Sequence, residues 1–234
     1  GVMLGDVEIS EKLEYRLMPI LLEQAPNLVY GEGGLGKSYL AACLAVMVQE
    51  AVVMGEMLPE PGPVLYLDYE TSQQTAARRF RMVHRGLDLE LNPHVHYRFC
   101  HLSLAHDIEE IQRAVIARGI QLVVVDSAGP ACGGDPEAAA AAIQFFTALR
   151  SLRVTSLIIA HKAKNTAGVG PFGSVFWLNY PRNVYELKKA QETGENIIHL
   201  ALIHRKANEG MLLPPTGVRL TFLADTVEFS MESA

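Results

Sequence analysis

A glycine-rich segment that ends in a lysine and a serine is the part of the sequence best suited to chemistry. Gly31 and Gly36 are separated by four residues and are followed directly by Lys37 and Ser38, which is the pattern of a phosphate-binding P-loop. Glycines allow positive φ angles and let the main chain approach a phosphate closely. A chance glycine-rich turn is the alternative, but an apolar run precedes the segment and a helical pattern follows it. The sequence therefore predicts a site for a nucleoside triphosphate.

The residues of this loop have distinct expected roles. The loop N–H groups and the N-terminus of the following helix are expected to face the phosphates. Lys37 is expected to reach the β- and γ-phosphates, and Ser38 to offer its hydroxyl to Mg²⁺. ATP and Mg²⁺ are therefore the expected cofactors. The residues predicted to contact the nucleotide are Gly31, Glu32, Gly33, Gly34, Leu35, Gly36, Lys37, Ser38 and Tyr39.

Two carboxylates follow apolar runs that are typical of buried strands. Asp126 ends the run that starts at Leu122, where a carboxylate can hold Mg²⁺ beside the P-loop together with Ser38. Glu70 follows a second run, and a carboxylate there suits the base or water-orienting group of ATP hydrolysis. Ser127 stands directly after Asp126, where many ATPases keep a glutamate, which favours Glu70. The alternatives are a turn residue at Asp126 and, at Glu70, an acid that stabilises the next helix.

Polar residues also follow the apolar run that ends near residue 160. His161 is suited to sensing the γ-phosphate, although a lone histidine there is more often an ordinary boundary residue. Lys162, Lys164 and Asn165 begin a glycine-containing loop that could grip a nucleic-acid backbone; a solvated surface loop is the alternative. Four arginines of an earlier helix are expected on a solvated face, with anion binding as the alternative: Arg78, Arg79, Arg81 and Arg85.

Composition limits the classes of protein to which the chain can belong. With 234 residues, 49% hydrophobic and 20% charged, it has the make-up of one α/β domain with a sizeable core. The net charge of -6 gives no overall attraction to nucleic acid, so any such contact needs a local cluster of cations. Three cysteines without C-x-x-C spacing argue against disulfides and a zinc site, and for a reducing cytoplasm.

The ends of the chain and its apolar stretches give no sign of export or of a membrane. Glu14 and Arg16 interrupt the first apolar run, so no signal peptide is expected. The most apolar stretch, residues 39–58, carries Gln49 and Glu50 among other polar residues, so a buried helix is expected there rather than a span. Gly1 and Val2 would suit an expression scar, in which case the domain has been excised from a longer protein.

Alternating strand and helix patterns predict an α/β fold with a mainly parallel twisted sheet flanked by helices. Turn residues between apolar runs predict two antiparallel hairpins at the C-terminus, one over residues 183–204 and one over 218–229. Helix starts are expected at Thr71 and at Asp135, which precedes a proline and a glutamate. The predicted division of the single domain is a lead-in segment (1–24), a P-loop core (25–180) and C-terminal hairpins (181–234).

The order and spacing of these motifs resemble those of the RecA-like P-loop ATPases of the hexameric replicative helicase type. The resemblance favours the plasmid RepA-like branch, which is related to the DnaB-like helicases, and it extends over residues 27–223. Apart from the P-loop, each motif is short, so their order makes the match specific. The matching segments are Gly31–Ser38, Val64–Glu70, Leu122–Asp126 with Gly133–Glu137, Ile158–Lys162 and Lys206–Gly210.

The resemblance implies a role for each matching residue. Glu70 would be the catalytic base, and His161 would couple the γ-phosphate to the DNA-binding loop that follows it. A cation from a neighbouring subunit would complete the ATP site, and Arg205 or Lys206 best matches its position. Asn208 stands where the DnaB-like pattern often has an arginine, which leaves Arg182 as a possible substitute.

The resemblance also implies an assembly and a mechanism. The expected assembly is a homo-oligomeric ring, a hexamer in this family, that translocates on single-stranded DNA, with a primase or a replication initiator as a further partner. The strand bearing His161 would lie between the P-loop strand and the Asp126 strand. The loop over residues 162–173 would face a central channel.

Other functions use the same P-loop. A RecA- or RadA-like recombination ATPase would share every site residue, but the stretch before the P-loop in this sequence is shorter than the usual filament-forming domain, so a ring is expected instead. A small-molecule kinase would not explain the order of Glu70, His161 and the late cations, and a ParA-like partition ATPase would have a lysine at Glu32. A nucleotide-switched module that binds DNA or protein, with little turnover, is the alternative from a different class.

Overall fold

The computed structural model describes residues 1–3, 5, 12–90, 92–162, 170–172, 174–190 and 196–233. Twelve strands and six helices are assigned within them. The strands are β1 (Tyr15–Met18), β2 (Leu21–Leu22), β3 (Pro26–Gly31), β4 (Leu58–Pro59), β5 (Val64–Asp68), β6 (His96–Phe99), β7 (Leu122–Asp126), β8 (Thr155–His161), β9 (Asn183–Lys189), β10 (Ile197–Ala207), β11 (Thr216–Phe222) and β12 (Val227–Ser233). The helices are α1 (Lys37–Glu50), α2 (Gln73–Gly86), α3 (Ile108–Arg118), α4 (Ala128–Ala131), α5 (Ala139–Ser151) and α6 (Phe176–Asn179).

Nine of the strands form one sheet in the order β12, β11, β10, β9, β3, β8, β7, β5, β6. The strands from β9 to β6 are parallel, and β10, β11 and β12 are added as antiparallel neighbours. The predicted fold class and both C-terminal hairpins are therefore confirmed. As the resemblance implied, β8 lies between β3 and β7, which places His161 beside the P-loop strand and the Asp126 strand.

Helices cover both faces of this sheet, which explains the unbroken apolar runs of its central strands. On one face α1 and α2 pack on alternate residues such as Val29 and Val124. On the other face α3, α5 and α6 pack on the residues between them, such as Leu28 and Val123. The core is therefore two apolar layers on either side of the sheet. No helix of the described residues is long and apolar enough to cross a membrane.

Two expected helix starts are wrong by a few residues, because the side chains concerned bond locally. Helix α2 begins at Gln73, and Ser72 caps it by accepting a hydrogen bond from the Thr75 N–H at 3.2 Å. Thr71 instead donates its hydroxyl to Asp68.

The second correction concerns the start of α5, which begins at Ala139 rather than near Asp135. The Asp135 carboxylate closes a tight turn by accepting from the Glu137 N–H at 2.9 Å. The intervening Pro136 carbonyl accepts from the indole of Trp177 at 2.7 Å. The turn therefore satisfies the polar groups that were expected to open the helix.

Candidate functional site

The glycine-rich loop connects the end of β3 to the start of α1 at the carboxyl edge of the parallel strands. Gly34 and Gly36 have φ angles of 80° and 75°, a region that other residues rarely adopt. Gly31 is required for a different reason, because a Cβ there would lie 2.5 Å from the Leu187 carbonyl oxygen of β9. The sequence pattern thus meets two demands, a left-handed loop and close packing against the neighbouring strand.

Lys37 lies inside this loop and is only 5% exposed. Its ammonium donates to the Gly31 carbonyl at 2.9 Å and also to the Glu32 carbonyl. Burial lowers the pKa of this lysine, and the negative charges of Glu70 and Asp126 oppose that shift. The cation therefore lies between the loop and the two carboxylates, the position at which a phosphate chain would need it.

Asp126 ends β7 and is 2% exposed. Its Oδ1 accepts from the Ser38 hydroxyl at 3.2 Å, and its Oδ2 accepts from the Tyr66 hydroxyl at 2.6 Å. Burial raises the pKa of this carboxyl against the effect of these hydrogen bonds. A carboxylate beside a hydroxyl is a donor set that fits Mg²⁺, since this ion takes few protein oxygens and completes its shell with phosphates and water.

Glu70 and His161 line the same cavity as Lys37, Ser38 and Asp126. The Glu70 carboxylate accepts a hydrogen bond from the Ser127 hydroxyl and lies 3.4 Å from the His161 Nε2. The interaction with the imidazole is the largest cause that lowers the pKa of Glu70, and burial opposes it. Glu70 is therefore held as a carboxylate that can orient a water molecule and accept its proton.

From this arrangement we expect the low-pH side of the pH profile of ATP hydrolysis to depend on His161. Because the pKa of Glu70 is lowered, the carboxylate stays ionised at pH values below the usual glutamate pKa of about 4.3. In His161→Ala, the burial that raises the pKa of Glu70 remains, but the interaction with the imidazole, which lowers that pKa most, is lost. The acidic midpoint of kcat/KM is therefore expected to move to higher pH, as measured by a pH profile. His106→Ala, at an exposed histidine, is the control, and an equal midpoint in both variants would contradict the assignment.

Arg79 is a residue of the site that the sequence interpretation missed. It was expected on a solvated face, but it is 9% exposed and its guanidinium lies 3.4 Å from the Asp126 Oδ2. The same group lies 5.4 Å from the centre of the Tyr39 ring, a cation–π distance. The sequence does contain one indication that Arg79 is buried, because it lies four residues before the buried Val83 on the same face of α2. The neighbouring arginines instead suggested a solvated surface.

Substitution of Arg79 is expected to affect nucleotide turnover, unlike substitution of its neighbours. In Arg79→Ala the Asp126 carboxylate loses a charged partner, and the space around Lys37 and Ser38 loses a cation. Removal of a charge-assisted hydrogen bond of this kind is expected to lower kcat/KM for ATP about 10- to 100-fold. Arg78→Ala, one residue earlier and exposed, is the matched control in the same assay. Equal activity of the two variants would remove Arg79 from the site.

One cavity of about 320 Å³ is lined by eight of the predicted residues. Its lining combines the loop and the start of α1 with the ends of β5, β7 and β8. Two apolar residues of the C-terminal hairpins, Ile198 and Phe222, complete it, and Phe222 meets the Tyr39 ring edge to face at 5.1 Å. The lining is Gly34, Gly36, Lys37, Ser38, Tyr39, Glu70, Arg79, Asp126, Ile159, His161, Ile198 and Phe222.

Three basic residues predicted to act outside this cavity, Lys162, Arg205 and Lys206, are held by other groups of the chain. Glu186, a 2% exposed carboxylate of β9 that was not singled out from the sequence, accepts from Lys162 at 3.1 Å and from Arg205 at 2.6 and 2.8 Å. Burial opposes ionisation of Glu186, but these two cations lower its pKa. Lys206 donates to three carbonyl oxygens, each at 2.7 Å, of Leu178, Asn179 and Pro181.

The remaining predicted positions are not tested by these contacts. Lys164 and Asn165 lie outside the described residues. Arg205 and Lys206 stay predictions for a cation that acts on a neighbouring subunit, since one chain does not show what a second would meet. Within the described residues, no cluster of three or more His, Cys, Asp or Glu side chains is placed to hold a metal ion.

Comparison with known proteins adds one finding. A family model described as an AAA domain, AAA_25, matches residues 5–167. This stretch contains the glycine-rich loop, Glu70, Asp126, His161 and Lys162. No curated protein matches the chain.

Proposed function

Because the chain belongs to the AAA_25 family of AAA domains, and so is a P-loop ATPase domain, we propose that it is a ring-forming motor that translocates on single-stranded DNA. The finer assignment is to the helicase ATPases of the plasmid RepA-like and DnaB-like kind. The observation that carries it is the contact between Glu70 and His161 at 3.4 Å. It joins the carboxylate suited to hydrolysis to the residue directly before Lys162, where the loop expected to bind DNA begins.

The residues of the cavity divide the chemistry of ATP hydrolysis among them. Lys37 and Arg79 bring positive charge to the β- and γ-phosphates, where negative charge develops in the transition state. Glu70 orients the attacking water and accepts its proton. Ser38 and Asp126 would hold Mg²⁺, which when bound neutralises charge on the phosphate oxygens.

The sheet order supports a coupling between the nucleotide and DNA. Because β8 lies between β3 and β7, its last residue, His161, lines the cavity, and we place the γ-phosphate beside it. The next residue, Lys162, is bonded through its N–H to the Gly31 carbonyl at 3.0 Å and through its ammonium to Glu186. Loss of the γ-phosphate would change the Glu70–His161 contact and, through it, the hydrogen bonds of Lys162, the residue that precedes the loop expected to bind DNA.

A ring would place a cation of one subunit at the ATP site of the next. The contacts within the chain favour Arg182 for this role over Arg205 and Lys206. Arg205 is bound by the buried carboxylate of Glu186, and Lys206 by three carbonyls, whereas Arg182 pairs only with the exposed Glu209 at 3.3 Å. A cytoplasmic location and an association with a primase or a replication initiator belong to the same proposal.

Steady-state ATP hydrolysis, measured with and without single-stranded DNA, tests the proposal. We expect DNA to stimulate turnover, and Lys37→Ala to abolish both the basal and the stimulated rate. Stimulation would then justify a strand-separation assay, which distinguishes a helicase from a RecA- or RadA-like recombination ATPase. A rate of ATP hydrolysis that single-stranded DNA does not change would contradict the proposed motor function.

A nucleotide-switched binding module is the second candidate. It is favoured by the net charge of -6 and by the engagement of Lys162 with Glu186, which lowers the number of cations free for DNA. This candidate predicts ATP-dependent binding of DNA or a protein with little turnover. Slow, DNA-independent hydrolysis combined with tight ATP binding would favour it over the motor.

A further inference from the structure

A second cavity, of about 470 Å³, lies at the amino edge of the parallel strands. We call it the amino-edge cavity; it is bordered by the starts of β3 and β8 and by the ends of α5 and α6. Strand β3 begins beside this cavity at Pro26 and ends in the glycine-rich loop at Gly31. Six strand residues separate the two edges by roughly 17 Å. The amino-edge cavity is therefore distinct from the cavity of about 320 Å³ around Lys37 and Asp126, which we call the ATP cavity.

Three arginines, Arg150, Arg153 and Arg182, line the amino-edge cavity. Among the described residues, the side chains of Arg150 and Arg153 have no ion-pair or hydrogen-bond partner, and no carboxylate lines the cavity. Arg182 pairs with Glu209 at 3.3 Å, but the two side chains are 48% and 46% exposed. A pair so exposed contributes little, so the positive charge of the cavity is largely uncompensated in a chain whose net charge is negative.

Lys206 adds a fourth cation close to the amino-edge cavity. Its three carbonyl partners include Asn179, which lines the cavity. Carbonyl dipoles solvate an ammonium but do not neutralise it, and both burial and the charge of Arg182 lower the pKa of this lysine. Like charges have thus been brought together here, and an anion in the cavity would offset their repulsion.

We propose that the amino-edge cavity binds a phosphate group, held by Arg150 and Arg153 with Arg182 at the rim. Guanidinium groups match phosphate oxygens through paired, planar N–H donors. Asn179 and Asn208 also line the cavity, and a side-chain amide can donate further hydrogen bonds. The volume lies in the range of about 300–1,000 Å³ that is typical of small-ligand sites.

Two sources can present such a phosphate. One is a free phosphorylated small molecule. The other is a nucleotide seated in the ATP cavity of a second copy, an alternative that rests on the proposed ring. The ATP cavity lies at the carboxyl edge and the amino-edge cavity at the opposite edge, so such a contact would be head-to-tail, the kind that closes rings.

The first experiment tests the free source with inorganic pyrophosphate and isothermal titration calorimetry. It uses the Lys37→Ala chain, in which the glycine-rich loop has lost its lysine. Because only binding is measured, the result of the titration does not depend on ATP turnover. Arg150→Ala with Arg153→Ala is expected to raise the Kd for pyrophosphate at least tenfold. The control is Arg113→Ala with Arg118→Ala on α3, two exposed arginines whose removal changes the net charge equally. Thermal melting checks that each variant is folded, and Arg182→Gln provides a second test of the cavity.

The second experiment measures assembly by sedimentation of the chain with an ATP analogue that is not hydrolysed. If a second copy presents the phosphate, the Arg150 and Arg153 double variant loses analogue-dependent assembly, whereas the α3 control keeps it. Pyrophosphate binding that the double variant weakens supports a free ligand. The proposal is overturned if neither pyrophosphate binding nor assembly responds, or if only the affinity for a single-stranded oligonucleotide changes.

Discussion

Glu70→Gln is expected to lower kcat for ATP hydrolysis about 10²- to 10⁴-fold while the chain still binds ATP. Glutamine has the same shape and its carbonyl oxygen can still accept the Ser127 hydroxyl, but it cannot take a proton from water. Steady-state hydrolysis gives kcat, and calorimetry with a non-hydrolysable analogue gives the affinity.

The control for this substitution is Glu109→Gln, which removes one exposed carboxylate of α3. It is expected to leave kcat unchanged. A Glu70→Gln chain with normal turnover would show that another group accepts the proton, and the position of Glu70 next to His161 would then serve another purpose.

Asp126→Asn is expected to separate activity from stability, with a fall in Mg²⁺-dependent turnover of at least about 10³-fold. The asparagine would lose the charge that holds Mg²⁺ beside Ser38. Stability is expected to be retained or to rise, because burial raises the pKa of Asp126 and an amide removes the cost of a buried charge. Turnover and thermal melting of the same preparation give the two quantities.

Asp68 provides the matched control, since it ends the adjacent strand and is the register partner of Asp126. It is fully buried but accepts from the N–H groups of Glu70 and Thr71, both at 2.9 Å, and from the hydroxyl of Tyr97 at 3.1 Å. Asp68→Asn should therefore lower the free energy of unfolding by about 1–3 kcal/mol. An Asp126→Asn chain with a melting temperature as low as that of Asp68→Asn would contradict the assignment of Asp126 to activity and of Asp68 to stability.

Local sequence patterns were sufficient for the parts of the site that lie at strand ends. The glycine spacing predicts the loop because only a few residues set its φ angles. Asp126 and Glu70 follow apolar strands, and parallel strands bring their carboxyl ends to one edge of a sheet. The fold class followed from the same alternation of strands and helices, and the place of β8 followed from the resemblance.

Contacts between distant residues were not predictable in the same way. Arg79 reaches Asp126 across 47 positions of sequence, and nothing in a run of arginines marks which one is buried. The capture of Lys206 by carbonyls depends on the end of α6, 25 to 28 positions earlier. Likewise, Asp135 has the residue type of a helix cap, but its side chain closes a local turn instead. Helix α5 therefore begins about four residues later than expected.

We propose that the Glu70–His161 contact transmits the state of the nucleotide to the loop after Lys162, which is expected to bind DNA. The most direct measurement is the affinity for a labelled single-stranded oligonucleotide with a non-hydrolysable ATP analogue and with ADP, both in Mg²⁺. We predict an affinity at least about tenfold higher with the analogue, corresponding to about 1.4 kcal/mol of coupling, and no difference in His161→Ala. Equal affinities in the two nucleotide states, or an unchanged difference in His161→Ala, would contradict the account.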